Sequence, residues 1–529
     1  MLHFIPAWYA TDSWAENEQK WYVRRTQTEF DDTVKQIQLF HRNHVYDYKI
    51  MLLSFAPNFI HFLHRQSVFH APYWSCFDAI QEIQRKKAAT LSFHNLKWPE
   101  GVEFIYTPFV IYVEKDGDRI AQMEFGEDGN LIQVDMYENS ILCRRNFYDD
   151  RGFLSQTIVY TDGKPLYKDY LMENGTRKMR EHGDGRVEFH PDYARFMLSD
   201  GDKTEYIPLS GRIFPNMEAV VTEVTRAYVE SLEEKDMFCV AMHPNHVNLL
   251  RSVFEEKKTI LSFFKERIAL SDLAAMKELL GQAAYLITDS KELADSIQRE
   301  TKTIYPRIEA ITPFDTRVDF GISQQLHVQK ILVPVDGLRE SLWEELIGVL
   351  GKYLLRNKRA RVHLFTRESG AGREEELLSG TRRLLTQNGC NPNWARKNQG
   401  GFAENNLDEF DETPVLFTVE QCVDELSVSK CMREQRVIVD IRDIPELYLQ
   451  ISSVSMGVPQ IVRTATEFVE NRKNGWVVQS IDEIADALQH YLDGVANWNE
   501  AVVNAYEIGK KYTTDRLLVQ WREVIKQIG

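Results

Sequence analysis

Ser452 to Val478 reads S-S-V-S-M-G-V-P-Q-I-V-R-T-A-T-E-F-V-E-N-R-K-N-G-W-V-V, and the order of its parts decides the fold class. Gly457 just ahead of Pro459 lets a helix end and a strand begin, because glycine adopts the left-handed backbone that terminates helices and proline cannot continue one. The spacing then predicts a strand over Val458 to Val462, a turn region containing Glu467 and N-R-K-N-G, a strand at Trp476 to Gln479, and a helix over Ile481 to Tyr491. Read alone, this order of elements fits any α/β domain. A functional reading needs the rest of the chain.

Upstream, short apolar runs at Lys330 to Val335, Val362 to Thr366, Val415 to Thr418 and Val437 to Asp440 alternate with helical patterns. The same rhythm occupies the start of the chain. It comprises a strand at Leu2 to Ile5, a helical pattern through about Phe40, and a strand at Tyr48 to Phe55. It resumes with a helix near Met217 to Leu232 and strands at Met237 to Met242, Thr259 to Phe263 and Ala284 to Thr288. Such alternation implies parallel sheets covered by helices on both faces.

Between these halves, from about Phe104 to Leu209, β-rich runs are punctuated by Asp116-Gly117, Asp128-Gly129, Asp162-Gly163, Asn174-Gly175, Asp184-Gly185 and Asp200-Gly201. Asp-Gly and Asn-Gly favour tight hairpins, so the segment reads as an antiparallel meander. The expected fold is therefore α/β, with two Rossmann-type domains and an inserted antiparallel β-meander domain. Its boundaries are residues 1–103 with 214–315, the insertion 104–213, residues 316–495, and two tail helices in 496–529. Cys390 to Glu412 is poorly patterned and reads as a surface loop.

A chain of 529 residues with 43% hydrophobic and 27% charged residues is an ordinary globular protein too long for one core. Its net charge of -16 disfavours binding nucleic acid or an anionic membrane through a basic face. Cys76, Cys143, Cys239, Cys390, Cys422 and Cys431 show no C-x-x-C spacing, so reduced thiols are expected rather than disulfides or a zinc site. The opening lacks the pattern of a secretory signal, and no run reaches the roughly 18 apolar residues of a membrane span. A cytoplasmic location follows as an expectation, with membrane contact peripheral if any. Phosphate-loop, G-x-S-x-G, H-E-x-x-H and kinase motifs are all missing from the sequence.

Two segments carry candidate binding groups. The loop after the first strand contains Trp8, Tyr9 and Trp14, which read either as core packing or as a platform for a sugar ring. His243-Pro244-Asn245-His246 follows a strand at the edge where α/β proteins build sites. With no third ligand it makes a poor metal motif, and it also reads as a helix start capped by Asn245.

The combined order M-G-V-P-Q-I-V, Glu467, N-R-K-N-G-W-V-V and the following helix resembles the donor-sugar segment of GT-B glycosyltransferases. In that family a Glu stands five residues before the glycine, with a second acid eight residues further upstream. This chain has Ser452 and Ile444 there. Active relatives carry Arg and Lys after the first strand of the second domain, where this chain has Pro334, Val335 and Asp336. A carboxylate that bonds sugar hydroxyls cannot be replaced by an aliphatic group without leaving them unpaired.

The opening F-I-P-A-W-Y, the meander, I-T-P-F-D-T-R at Ile311 to Arg317 and S-V-S-M-G-V-P-Q-I at Ser453 to Ile461 resemble, over nearly the whole chain, the first of the accessory Sec system proteins. The resemblance implies a degenerate, non-catalytic GT-B protein without cofactor or metal. Its implied partners are the second and third accessory Sec proteins, the accessory motor ATPase and a glycosylated serine-rich adhesin. Trp8, Tyr9, Trp14, His243, His246, Arg463 and Glu467 are its candidate cleft residues. The rival reading is an active glycosyltransferase using a sugar nucleotide, with Glu467 or Asp443 serving as the displaced acid.

Overall fold

The computed structural model describes residues 1–529 except 11–12, 17–19, 21–29, 45, 201–202, 265–266 and 398–413. Most of the loop expected over Cys390 to Glu412, and part of the helical pattern before Phe40, lie outside the described residues. The chain divides into two compact units. The first comprises Met1–Ile287, Ser296–Glu309 and Ile528–Gly529, and the second Thr288–Asp295 and Ala310–Gln527.

In the first unit the strand Leu2–Ile5 pairs in parallel with Tyr48–Leu52 on one side and Met237–Ala241 on the other. The full sheet has seven strands. With Leu2–Ile5 as strand one, the order runs 3-2-1-4-5-6-7. All five residues of Met237–Ala241 and all four of Leu2–Ile5 are buried, as a sheet covered on both faces requires. Between the third and fourth strands the chain makes a ten-stranded sheet from Glu103–Tyr106 to Ile213–Phe214, each neighbouring pair antiparallel. Arg195–Asp200 and Lys203–Pro208 form a separate hairpin.

Turn chemistry sets the meander's register. Asp116-Gly117 and Asp162-Gly163 have both central residues at positive φ, the tightest hairpin form. In Asp128-Gly129, Asn174-Gly175 and Asp184-Gly185 only the glycine does, so these hairpins close through a longer loop. The strands Leu131–Glu138 and Ile141–Asp149 turn through Asn139-Ser140, both at positive φ without a glycine. Asparagine tolerates that conformation and serine does not favour it, which is why the sequence gives no signal there.

Buried charges bind the meander to the helix Cys76–Gln81 and its flank. Lys178, fully buried, places Nζ 2.5 Å from Glu82, which also accepts from Arg195 at 2.9 Å. Arg151 bridges Asp149 at 2.6 Å and Asp78 at 2.7 Å.

The second unit holds six strands, all parallel, in the order Phe417–Gln421, Ala360–Thr366, Gln329–Pro334, Gln435–Asp440, Gln460–Val462, Gly475–Val477. This again is 3-2-1-4-5-6. Its core packs Ile331, Val333, Val362, Leu364, Val437 and Val439 of the sheet against Leu346, Leu350, Leu378 and Leu488 of the helices.

The helix Leu447–Met456 ends where the sequence predicts, at Gly457 with φ 68°. The amides of Gly457 and Val458 both return to the Ser453 carbonyl. A Cβ on Gly457 would lie 2.9 Å from Val502 Cγ1. Gly457→Ala is therefore expected to destabilise the second unit by about 1–2 kcal/mol, the cost of left-handed backbone for an L residue, read as a lowered Tm. The tail forms the helices Val495–Gly509 and Thr514–Ile528. Among the described residues no helix is long and apolar enough to cross a membrane.

Candidate functional site

In each unit the strand order reverses beside the first strand, and the crevice at the carboxyl ends of the two strands flanking that reversal is where doubly wound folds bind ligands. In the first unit these are Leu2–Ile5 and Met237–Ala241, which lead into the Trp8-Tyr9 loop and into His243–His246. In the second they are Gln329–Pro334 and Gln435–Asp440, which lead into Asp336 and Arg442.

The first-unit groups form one network. Tyr9 Oη lies 2.8 Å from His246 Nε2, and His246 Nδ1 lies 2.6 Å from the Ala241 carbonyl. A carbonyl only accepts, so Nδ1 carries the proton and Nε2 accepts from the Tyr9 hydroxyl. Burial of this arrangement lowers the His246 pKa to about 3 and raises that of Tyr9 well above its usual value.

His243 is held down to about 4, again chiefly by burial. It caps the helix Pro244–Ser252, its Nδ1 accepting from the Asn245 amide at 3.2 Å. The cap expected at Asn245 is thus His243, because Pro244 at the first helical position makes its predecessor the cap. Asn245 instead donates to the Ser13 carbonyl at 3.0 Å, tying the two loops together.

Trp8 is only 6% exposed, packs on Phe62 at 4.7 Å between ring centroids, and donates to Asp31 at 3.0 Å. It is core packing and offers no stacking face. Trp14 is half-buried and meets Tyr9 edge-on at 5.5 Å.

The second-unit edge is rich in arginine, and the chain's own carboxylates engage it. Arg442 makes a bidentate pair with Asp440 at 2.8 and 2.7 Å and donates to the Asp336 carbonyl at 3.2 Å. Arg367 binds Glu446 and the Cys422 carbonyl. Asp443 bridges Arg339 at 3.0 Å and Arg463 at 3.2 Å. Asp336 accepts from the Thr366 hydroxyl at 2.7 Å, the Arg367 amide at 2.6 Å and Arg373 at 3.2 Å.

Pro334 and Val335 are buried at the head of this turn. Ser452 is buried on the helix Leu447–Met456, and Ile444 is 67% exposed. Glu467 accepts from the Lys291 amide at 2.9 Å, at the start of the helix Lys291–Thr301.

The sequence reading assigned no role to Arg367, Arg373, Arg442, Asp440 or Glu446. Arg367, Asp440, Arg442 and Glu446 stand at or just past a strand's carboxyl end or in the loop after it, and Arg373 in the first turn of the helix Ala371–Gln387. An inventory of charges at those positions is the signal that finds them.

The whole pattern has known counterparts. Residues 1–528 match the family model described as accessory Sec system protein 1. The accessory Sec system protein of that family from Streptococcus gordonii is 30% identical over 100% of this chain and 99% of its own. Among solved structures, a chain of the Glycosylation Associate Protein (Gap123) complex from Streptococcus agalactiae superposes with a TM-score of 0.80 at 30% identity, covering 100% of both chains. A chain of the complex of accessory secretory proteins 1, 2 and 3 from Streptococcus pneumoniae gives 0.79 at 26%, over 100% of this chain and 99% of that one. The pneumococcal O-GlcNAc transferase GtfA, solved with UDP and GlcNAc, gives 0.66 at 13% over 100% of this chain and 98% of that one, which establishes the GT-B-like fold.

Proposed function

The chain belongs to the accessory Sec system protein 1 family, and from that premise we propose that it is a non-catalytic GT-B component of adhesin export. In this reading it assembles with the second and third accessory Sec proteins, engages the accessory motor ATPase, and helps deliver a glycosylated serine-rich adhesin from the cytoplasm. The pneumococcal relative, solved with accessory secretory proteins 1, 2 and 3, and the agalactiae relative, solved in the Gap123 complex, support the assembly step.

The observation that carries the non-catalytic reading is the internal neutralisation of the second-unit edge. A diphosphate is held by cations that its own charge completes. Here Arg367, Arg442, Arg339 and Arg463 are already matched by Glu446, Asp440 and Asp443, and Asp336 adds a further carboxylate. A nucleotide would have to displace those carboxylates, the Arg442–Asp440 pair being buried on both sides, and lose their bonds in exchange for its own. The positions of the family's two sugar-binding acids, Ser452 and Ile444, supply no carboxylate. Asp443 and Glu467, the acids of the rival enzyme reading, are bound to Arg339 and Arg463 and to a helix amide.

Two measurements test this. Millimolar UDP-GlcNAc or UDP-glucose is expected to leave the Tm unchanged, because only a ligand of the folded state raises it. A nucleotide-dependent rise, or release of UDP above background, would overturn the reading in favour of the enzyme. Co-expressed second and third accessory Sec proteins are expected to co-purify with the chain, whereas an independent enzyme would elute alone.

A further inference from the structure

The edge strand Phe417–Gln421 and the helix Glu425–Arg433 of the second unit bring two thiols and a carboxylate together. Glu420 and Cys422 are two residues apart, so the alternation of a strand puts both side chains on one face. The chain then reverses through a capping box, Asp424 accepting from the Ser427 amide at 2.7 Å, and the helix returns Cys431 to the same spot. One ligand atom from each of Glu420, Cys422 and Cys431 lies within 4.8 Å of the other two. Among the described residues this is the one group of three or more such side chains placed so.

We propose that Glu420, Cys422 and Cys431 form a binding site for a soft divalent cation of the zinc class. The donor set fits the chemistry: two thiolates favour zinc over calcium or magnesium, and a carboxylate oxygen is an accepted third ligand. A tetrahedral ion with sulfur at about 2.3 Å spaces its ligand atoms about 3.8 Å apart, so side-chain movements of about an ångström close the site. Binding displaces two thiol protons to solvent and forms two metal–sulfur bonds.

The scaffold is fixed. The Cys422 amide donates to the Thr366 carbonyl at 2.9 Å, and its carbonyl accepts from Arg367 at 3.2 Å. Gln435 Nε2 donates to the Cys431 carbonyl at 2.9 Å and lies 3.6 Å from its Sγ. His363 lies beside the cluster, its Nδ1 3.5 Å from Glu420 Oε1 and 3.4 Å from Gln435 Nε2. Cys422 is buried while Glu420 and Cys431 are half-buried, so the group lies partly accessible to solvent.

The inference is independent of the export reading and is tested with cobalt(II) added to the full chain after chelator treatment. One equivalent is expected to give the intense visible bands of tetrahedral cobalt and a sulfur-to-metal charge-transfer band in the near ultraviolet. Cys431→Ser and Cys422→Ala should each abolish the tight site, whereas Cys143→Ser, at a thiol of the first unit outside the cluster, should leave the spectrum unchanged. Weak octahedral spectra, bands that survive the Cys422→Ala/Cys431→Ser double change, or a two-hydrogen mass loss showing a disulfide in place of metal would each overturn the assignment.

Discussion

Asp440→Ala is expected to cost the second unit about 3–5 kcal/mol, because it strands a buried guanidinium. Asp440 is 1% exposed and Arg442 7%, and the two are joined by both oxygens of the carboxylate. Arg442 also reaches the Asp336 carbonyl, so its displacement loosens the turn that closes the first strand of the unit. Calorimetry should show the fall as a drop of roughly 10 °C in the second unit's transition, at 2–4 °C per kcal/mol. Asp440→Leu combined with Arg442→Met should recover most of it, since a buried ion pair replaced by apolar groups of similar volume is often neutral. A double variant as unstable as the single one would mean that the charge itself, not its desolvation, sustains the edge. The pair would then be structural in a stronger sense than proposed.

The same pair shows why the fold was legible and the site was not. Strands such as Leu2–Ile5 and Val437 to Asp440 announce themselves because burial on both faces demands an unbroken apolar run, which a single sequence displays directly. Gly457 was equally legible, since one residue type serves that backbone. Asp-Gly and Asn-Gly pairs located most hairpins of the meander.

What failed was anything decided by distant partners. The sequence marks Asp336 only as standing where active relatives carry a basic group, while its partners, Thr366, the Arg367 amide and Arg373, lie thirty residues or more along the chain. Arg367 and Glu446 are seventy-nine residues apart and no local pattern couples them. Trp8 and Trp14 look alike in sequence, but only Trp8 is carried inward, by the bond to Asp31 and the packing of Phe62. The cap at His243 was missed because histidine is not a usual capping residue, and only Pro244 hinted at the register.

In the proposed reading, the second-unit edge is not short of cations: Arg339, Arg367, Arg442 and Arg463 all stand there, each paired with a carboxylate of the chain. The acids beside them, Asp440, Asp443 and Glu446, occupy those arginines. A chain that keeps a doubly wound scaffold while satisfying its charges internally gains a rigid edge. Such an edge suits a protein that assembles with others better than one that must open for a substrate at each turnover.

The first unit should respond to acid through His246. Its folded pKa of about 3 lies below the ordinary 6.5, so the unfolded chain binds this proton first. The stability it contributes is fully present above pH 6.5 and is lost as pH falls toward about 3. At pH 4.5, about two units below the free value, that loss is roughly 3 kcal/mol. His3 and His243, each held down to about 4 by burial, act in the same direction. His246→Gln keeps an acceptor for the Tyr9 hydroxyl and a donor for the Ala241 carbonyl but cannot be protonated. Urea unfolding at pH 7.5 and 4.5 should therefore show the variant losing less stability than the parent chain, by about that amount. An unchanged difference between the two pH values would mean that the imidazole is protonated in the fold. In that case its Nε2 donates to Tyr9, and the hydrogen-bond polarity assigned to this network is reversed.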